Sequence, residues 1–290
     1  MLAGVYLDQF IDAFVLPFRA PNTVNCYRRA FQSLPAAVLE ADLQELTALQ
    51  LQMAINGQAR AHPRAAQLTY ACIHVAMKKA VELGLLDRSP MSGCRKPVHH
   101  AAKAAVLTPE QLTAYIDAAR VEAAFPLLLL MAACGLRRGE ALGLKWDHVD
   151  LQTGVLRIDQ QRMRVHHGYQ LRPLKSTASN RVLPIAPPIA DELRMMRVRS
   201  FTGFVCDLTP EALAKAHNRT LQRAQLPHVT PHGLRHSMAT AAAAQGCPMK
   251  ILQGILGHSK YELTANLYAD HLSADAYAPH LAMLTASLMG

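Results

Sequence analysis

The stretch Thr230-Pro231-His232-Gly233-Leu234-Arg235-His236 is the part of the sequence on which its interpretation depends most. Thr230 can cap a helix, and Pro231 suits the first helical position. His232 and Arg235 are three residues apart, so they share one helix face. The stretch therefore predicts a helix that presents an imidazole and a guanidinium on the same side.

A metal site is the alternative use of this stretch, because His232 and His236 are four residues apart. However, no Glu follows His232 as an HExxH motif requires, and no Cys or acidic cluster completes a ligand set. We therefore expect no metal ion and no cofactor.

Three further clusters of polar residues flank the first one at a distance. The first is Gly135-Leu-Arg137-Arg138-Gly139-Glu140, in which Arg137 follows a Gly-Leu break and opens an amphipathic helix. The second places Lys175 in a Ser/Thr-rich turn between two predicted strands. The third is Leu256-Gly257-His258, followed ten residues later by Tyr268. An Arg at a helix start can direct its guanidinium at an anion bound there.

Composition restricts the class of protein. The 290 residues include 30 Lys and Arg against 21 Asp and Glu, a net charge of +9 that favours a polyanionic partner. No apolar run reaches the roughly 18 residues of a membrane helix, so we expect no membrane partner. The start of the chain lacks the basic residues of a secretory signal, and the six cysteines show no disulfide or zinc spacing. These features predict a cytoplasmic protein.

Periodicity divides the chain into two regions joined by a linker. Residues 1–97 are predicted to be helical, with helices at 5–16, from a cap at Asn22-Thr23, at 43–55, and from Pro63 to Gly84. Residues 98–107 are predicted to be the linker. The region 108–290 starts with a capped helix at Thr108-Pro109, and we expect helices to about Trp146, strands at 155–159, 169–172 and 181–185, and helices from Pro187 onward. The fold class is mainly α with a small antiparallel β-sheet.

The order and spacing of the four clusters resemble the tyrosine recombinase (phage integrase) family, with features like those of Xer recombinases and integrases. The resemblance covers residues 108–271 and, more loosely, the helical first region. It implies an N-terminal helical core-binding (SAM-like) domain at 1–97 and a C-terminal integrase-like catalytic domain at 108–290 with a C-terminal helix. It also implies a site-specific recombinase that cleaves and rejoins DNA through a 3′-phosphotyrosyl intermediate, for integration or excision of a mobile element or for dimer resolution.

The resemblance assigns six catalytic residues. Arg137 and Arg235 would stabilise the negative charge that develops on the phosphate, and Tyr268 would be the nucleophile. His232 would accept the phenolic proton, Lys175 would protonate the leaving 5′-oxygen, and His258 would bind the phosphate. Glu140 and His236 would support the site: we expect Glu140 to orient Arg137, and His236 to pack or hydrogen-bond beside it.

Several alternatives remain open at this point. Tyr261 competes with Tyr268 as nucleophile, and Lys145, predicted to lie in a helix, competes with Lys175 as proton donor. The same catalytic set could serve DNA relaxation, as in type IB topoisomerases, although the core-binding-like region argues against it. A non-catalytic DNA-binding relative is the third alternative, and the presence of all six polar side chains argues against it.

The resemblance also predicts the partners. We expect double-stranded DNA to be bound by both regions, with Arg28, Arg29, Lys78 and Lys79 contacting it from the first. We expect a monomer or dimer in the free protein and a homotetramer on synapsed sites, with possible accessory DNA-bending factors and a nucleoid location. We also expect no separate arm-site-binding domain. The apolar stripe at 274–288 would either pack on its own chain or dock on a neighbouring protomer.

Overall fold

The computed structural model describes residues 1–99, 105–165, 168–174, 179–197 and 203–258. The chain forms two compact units, Met1–Ala102 and Lys103–Gly290. Each unit has a hydrophobic core of its own within its described residues. The predicted domain bounds at 97 and 108 stay a prediction.

The described part of the first unit is helical. Its α-helices are α1 (Ala3–Phe10), α2 (Pro21–Gln32), α3 (Ala36–Leu39), α4 (Ala48–Ala61) and α5 (Pro63–Glu82). A π-helical segment, Ile11–Val15, extends α1, and short 3-10 helices lie at Leu43–Glu45 and Pro90–Gly93. The core is built around Phe10, whose ring contacts Tyr6, Tyr27 and Phe31. The Tyr6 hydroxyl donates to the Ala76 carbonyl at 2.6 Å and so fixes α1 on α5.

The helix predicted at residues 43–55 is two elements in the structure. Asp42 caps the 3-10 helix by accepting a hydrogen bond from the Gln44 backbone at 2.9 Å. Thr47 then starts α4 with a capping box, in which Gln50 accepts from the Thr47 backbone at 2.9 Å. The caps at Asp42 and Thr47 therefore interrupt a continuous apolar pattern. The α2 helix begins at Pro21, earlier than the Asn22-Thr23 cap that the sequence suggested.

The second unit contains seven described α-helices and five strands. The helices are α6 (Pro109–Ala119), α7 (Phe125–Cys134), α8 (Arg138–Gly143), α9 (Pro187–Arg197), α10 (Pro210–Arg223), α11 (Pro231–Ala244) and α12 (Met249–Leu256). The strands are β1 (Val149–Asp150), β2 (Val155–Ile158), β3 (Gln160–Val165), β4 (Gly168–Pro173) and β5 (Arg181–Pro184), and a 3-10 helix lies at Trp146–His148. Helix α7, whose residues are almost all buried, contacts α6, α8, α9 and α11.

The strands form two antiparallel sheets. One sheet has the order β1-β2-β5, and the other is the β3-β4 hairpin. The sequence predicted strands close to β2, β4 and β5 but missed β1 and β3, and it assumed one sheet. The missing strand explains this error, because β4 pairs with β3 from Gln160↔Pro173 to Val165↔Gly168.

Helix α8 packs directly on the β3 backbone. A Cβ atom at Gly143 would lie 2.9 Å from the Arg162 nitrogen, so only glycine permits this approach. The Gln160 amide also donates to the Gly143 carbonyl at 2.9 Å. The hairpin is thereby attached to the helix that Arg137 precedes.

Two further features of the described residues are the length of the helices and the state of the cysteines. None of the helices in the described ranges is long and apolar enough to cross a membrane. The six cysteines, all within described segments, are free thiols.

Candidate active site

Arg235 lies on α11 and is almost fully buried, with 1% of its surface exposed. The helix starts as predicted, since the Thr230 hydroxyl accepts a hydrogen bond from the Gly233 backbone at 3.0 Å and Pro231 is the first helical residue. The Arg235 guanidinium donates through Nη1 to the Gly135 carbonyl at 2.7 Å and through Nη2 to the Leu256 carbonyl.

Both carbonyls lie at the C-terminal ends of helices, Gly135 at α7 and Leu256 at α12. The negative ends of two helix dipoles therefore face one guanidinium and stabilise its charge. Burial, and next the nearby Arg137, lower the pKa of Arg235 to about 9, which keeps it charged at neutral pH. The result is a fixed positive charge inside the unit.

Arg137 is the residue that precedes α8, as the sequence predicted. Its backbone N–H donates to Glu140 Oε2 at 2.8 Å and its Nη1 donates to Oε1 at 2.7 Å. Its Nη2 donates to the Gly257 carbonyl at 3.1 Å. About a third of the side chain, 34%, remains exposed. Arg137 is thus held in one orientation and is still accessible to a ligand.

Glu140 is the buried carboxylate of this cluster, with 2% of its surface exposed. Burial raises its pKa, but the hydrogen bonds and charge of Arg181, followed by those of Arg137, outweigh burial and keep the pKa below its usual value. Glu140 is therefore ionised at neutral pH and orients Arg137 as expected from its place one turn after it.

Three imidazoles lie beside the two guanidiniums. The His232 and His236 rings meet edge to face, with centroids 4.5 Å apart. Although part of His232 is accessible to solvent, desolvation, followed by His236, Arg235 and Arg137, lowers its pKa to about 4. Burial, followed by Arg235 and Arg137, lowers the pKa of His258 to about 4 as well. Both rings are neutral at pH 7.

The structure thus brings together six residues from three separate stretches of the sequence: Arg137, Glu140, His232, Arg235, His236 and His258. Lys175, Tyr268 and the competing Tyr261 lie outside the described residues, as does the segment 274–288. The positions assigned to them remain predictions. Within the described ranges, no three His, Cys, Asp or Glu side chains could hold a metal ion together.

The structure also describes Lys145, the competing proton donor, and Arg138, which follows Arg137. Lys145 was expected in a helix, but it lies in extended backbone between α8 and the 3-10 helix, with Nζ 5.6 Å from the centre of the Phe204 ring. The helix ends earlier because Gly143 meets β3. Arg138, the neighbour of Arg137, is exposed.

The four cationic residues predicted to contact DNA lie on α2 and α5 of the first unit. Arg29 and Lys78 are exposed, and Arg28 is half-buried. Lys79 forms an ion pair with Glu82 at 3.0 Å and lies over the Phe14 ring at 4.9 Å. Lys79 therefore has partners within its own unit, whereas Arg29 and Lys78 have charges that face solvent.

Sequence reasoning missed Arg181, which lies at the start of β5 and is 6% exposed in its side chain. Its guanidinium donates to both oxygens of Glu140, at 3.0 Å and 2.8 Å. An Arg at the edge of a predicted strand is usually solvated. Two features of the sequence could have indicated Arg181: it comes six residues after Lys175, and its position in the predicted strand directs its side chain inward.

A comparison with known protein families gives a match over residues 105–274 to the phage integrase family, more than half of the chain. The chain belongs to the phage integrase family. Its members are tyrosine recombinases, an enzyme class of DNA strand transferases. The family and the mainly helical fold predicted from the sequence are confirmed.

Individual relatives agree with this assignment. The chain is 29% identical to the tyrosine recombinase XerC of Mycobacterium sp. (strain JLS), over 90% of this chain and 92% of that one. It is 27% identical to a XerC-like tyrosine recombinase of Caldanaerobacter subterraneus, over 65% of this chain and 58% of that relative. It is also 27% identical to the transposase of transposon Tn916 of Enterococcus faecalis, over 59% of this chain and 49% of the transposase. The chain thus spans only about half the length of the last two.

Solved structures share the fold. The Tn1549 transposon integrase, solved with circular intermediate DNA, superposes with a TM-score of 0.79 at 18% identity, over 98% of this chain and 99% of that one. A lambda integrase dimer bound to a core site gives a TM-score of 0.71 at 17% identity, over 91% and 97% of the two chains.

Proposed function

We propose that this phage integrase family member is a site-specific recombinase that cleaves and rejoins DNA strands through a 3′-phosphotyrosyl intermediate. The observation that carries the proposal is the convergence of two guanidiniums and two neutral imidazoles from α8, α11 and the end of α12. Arg235 is held by two carbonyls and Arg137 by Glu140 and the Gly257 carbonyl, so neither has to be reoriented when a phosphate binds.

The charge of the transition state explains the need for these groups. When an oxygen attacks a phosphodiester, negative charge grows on the non-bridging oxygens, and two guanidiniums can stabilise it without a metal ion. Arg137, which is partly exposed, would bind the phosphate directly. Arg235 would add a fixed positive field beneath it, and His258, next to Gly257, would donate a hydrogen bond.

The covalent step is a substitution at phosphorus. The Tyr268 oxygen attacks, the P–O5′ bond breaks, and the product is a 3′-phosphotyrosyl ester with a free 5′-hydroxyl. The phenolic proton passes to His232, and Lys175 gives a proton to the leaving 5′-oxygen. Rejoining reverses these transfers with another 5′-hydroxyl, so no external energy source is required.

The neutral state of His232 suits this role. A phenol with a pKa of about 10 needs a proton acceptor or a strong positive field to become a nucleophile at pH 7. An imidazole already protonated at pH 7 could not accept the proton. Desolvation, followed by the nearby His236, Arg235 and Arg137, keeps His232 unprotonated, and the two arginines also favour the phenolate.

The partner of the reaction would be double-stranded DNA. The excess of positive charge is spread over both parts of the sequence, with 11 Lys and Arg against 7 Asp and Glu up to residue 107 and 19 against 14 beyond it. We expect four protomers to act on two synapsed sites; a lambda integrase of the same fold has been solved as a tetramer on a Holliday junction. Accessory DNA-bending factors and a nucleoid location stay predictions. The relatives include XerC proteins and transposases, which fits either dimer resolution or movement of a mobile element.

A pool of duplexes with randomised sequence, each carrying a nick at a fixed position, would test the proposal. Cleavage close to the nick releases a short oligonucleotide, so the covalent complex cannot be reversed and survives SDS. The wild type should trap DNA, and sequencing of the trapped fraction should reveal the preferred site. Tyr268→Phe should trap nothing.

Tyr261→Phe is the matched control and should trap as the wild type does. If Tyr261→Phe fails and Tyr268→Phe traps DNA, the nucleophile has been assigned wrongly. If the wild type traps no DNA under any condition in which it binds DNA, the proposed activity is refuted. Paired sites on one supercoiled plasmid should then give recombinants, whereas topoisomers without recombinants would indicate DNA relaxation.

A further inference from the structure

Arg181 lies where three segments of the candidate active site meet. It is the first residue of β5 and comes six residues after Lys175 in the sequence. Its guanidinium binds Glu140 at the start of α8. A Cβ atom at Gly257 would lie 3.2 Å from both Cδ and Nη1 of Arg181, so the side chain lies directly on the turn that ends α12. His258 is the next residue in the chain.

The geometry excludes Arg181 as a direct ligand of DNA. Only 6% of its side chain is exposed, against 34% for Arg137. Both of its terminal nitrogens are used, Nη1 by Glu140 and the Ser179 carbonyl at 3.1 Å, and Nη2 by Glu140. A phosphate could therefore reach Arg137 but not Arg181.

The Glu140 carboxylate connects the two arginines. Its Oε1 accepts from Nη1 of Arg137 and Nη1 of Arg181, and its Oε2 accepts from the Arg137 backbone and Nη2 of Arg181. Four donors thus satisfy a carboxylate that is only 1% exposed in its side chain. Removal of Arg181 would leave half of this set, and a buried carboxylate with few donors tends to take up a proton.

We propose that Arg181 is a positioning residue for strand cleavage, which keeps Glu140 ionised and thereby holds Arg137 in the orientation that receives the phosphate. The proposal rests on the recombinase activity proposed above. A contribution to fold stability alone is the competing explanation, because removal of one partner of a buried ion pair leaves an uncompensated charge and destabilises the fold.

A pH profile separates the two explanations. The described charged groups that act on Glu140 or on Arg181 are Arg137 before α8, Arg181 on β5 and Arg235 on α11; the buried Cys134 thiol of α7, whose pKa burial raises to about 12, lies near Arg181 and stays neutral. In Arg181→Met, burial still raises the pKa of Glu140, but Arg181, the partner that lowers this pKa most, is absent. Below the new pKa the carboxyl is neutral and Arg137 is free to turn away; above it, orientation returns.

The experiment is single-turnover cleavage of a nicked duplex, measured from pH 5 to 9 well below the melting temperature. Arg181→Met should cleave about 10- to 100-fold more slowly than the wild type at low pH and recover as pH rises. Arg181→Lys, which keeps the charge but loses the two-pronged contact, should recover part of the rate. The double variant Arg181→Met with Glu140→Gln should lack the rising limb, because Gln does not titrate.

Arg219→Met is the matched control. Arg219 also pairs with a buried carboxylate, that of Glu122, at 2.5 Å. Glu122 is not one of the site residues. It should lower the melting temperature without changing the shape of the pH profile.

A profile of Arg181→Met that runs parallel to the wild type, or a slowing of equal size in Arg219→Met, would overturn the proposal. If the wild type itself traps no DNA, the recombinase activity fails, and the role of Arg181 fails with it. If the wild type traps DNA and Arg181→Met traps it equally well at every pH, only the role of Arg181 fails.

Discussion

Arg235 is buried between two backbone carbonyls, and a shorter or less branched cation could not donate to both of them. Its two terminal nitrogens reach the carbonyls of Gly135 and Leu256, which are 100 and 21 residues away in the chain. A lysine has a single ammonium and cannot reproduce the rigid planar fork through which two separate nitrogens of Arg235 reach the two carbonyls. The side chain therefore serves two purposes, because it joins the ends of α7 and α12 and supplies positive charge to the site.

Arg235→Lys should consequently reduce the single-turnover cleavage rate by about 100-fold, because the positive charge is no longer held in place by both carbonyls and a small displacement of a positioned group can cost this much. Denaturation in urea should show that the variant is folded under the assay conditions. Arg223→Lys is a suitable control, because Arg223 also donates to a carbonyl, that of Ala118 at 2.8 Å, but far from the site. Equal cleavage by Arg235→Lys and the wild type would contradict the role assigned to Arg235.

The pH dependence of cleavage follows from the lowered pKa of His232. With a pKa of about 4, the ring stays neutral and able to accept a proton well below pH 6. The rate should therefore stay level as the pH falls from 7.5 to about 5.5 and decline only on approach to 4. An ordinary imidazole would lose half of the activity at about pH 6.5. A midpoint near that value in the wild type would contradict the lowered pKa that desolvation and the nearby cations give His232.

The same shift has a consequence for stability. The pKa of His232 and His258 is about 4 in the folded state and about 6.5 in the unfolded chain, so the unfolded state binds more protons between these values. Their contribution to the free energy of unfolding is therefore fully present above about pH 6.5 and is lost as the pH falls toward 4. Circular dichroism on the same samples would show whether the protein remains folded where cleavage declines.

Individual site residues could be predicted because their spacing is specific as a set. Arg137, His232, Arg235 and His258 were selected by their order along the chain, and the structure places them together. Arg181 could not be selected in this way, because its importance depends on Glu140, 41 residues away, and on the Gly257 turn. The carbonyl partners of Arg235 were also beyond sequence reasoning, since every residue has a carbonyl and only the fold shows which ones are used.

At the scale of elements, helix starts could be predicted well and strand pairing could not. Thr108-Pro109, Thr230-Pro231 and Pro63 start helices in the structure as local capping rules predict. Strand β3 was missed because its sequence, Gln-Gln-Arg-Met-Arg-Val, has little of the apolar alternation that marks a strand. It exists because it pairs with β4 and receives α8 at Gly143, and both are non-local contacts.

The turn that ends α12 is the element whose geometry matters most to the site. Gly257 has φ +60°, and its carbonyl accepts from Arg137 while Arg181 lies against its Cα. Gly257→Ala adds a Cβ in a left-handed conformation, which costs about 1–2 kcal/mol. It also pushes on Arg181, so we expect a loss of cleavage beyond the loss of stability.

Gly246→Ala is the matched control for this prediction. Gly246 has φ +81° in the turn after α11, and a Cβ there would have no neighbour within 4 Å. Gly257→Ala should lower the free energy of unfolding in urea at least as much as Gly246→Ala, but only Gly257→Ala should cleave slowly below its melting temperature. Equal cleavage by the two variants would show that the turn does not set the position of Arg137.

At the scale of the whole molecule, composition and periodicity predicted two helical regions and a basic surface, and each unit has a core of its own. Cores can be predicted at this level because apolar residues recur with helical spacing over long stretches. The outward basic side chains are harder to assign, because a cation can either face solvent or pair locally. Lys79 pairs with Glu82, whereas its neighbour Lys78 is exposed, and the sequence alone gave both the same role.

This difference leads to a prediction about DNA binding by the full chain. If the first unit contacts phosphates through Arg29 and Lys78, the double variant Arg29→Ala, Lys78→Ala should bind all duplexes more weakly, whatever their sequence. The slope of log affinity against log salt should become shallower by about 0.9 for each lost phosphate contact. Lys79→Ala, whose charge is already partly neutralised by Glu82, should change the slope less. Fluorescence anisotropy with labelled duplexes at several salt concentrations measures these slopes, and an unchanged slope in the double variant would show that Arg29 and Lys78 do not contact DNA.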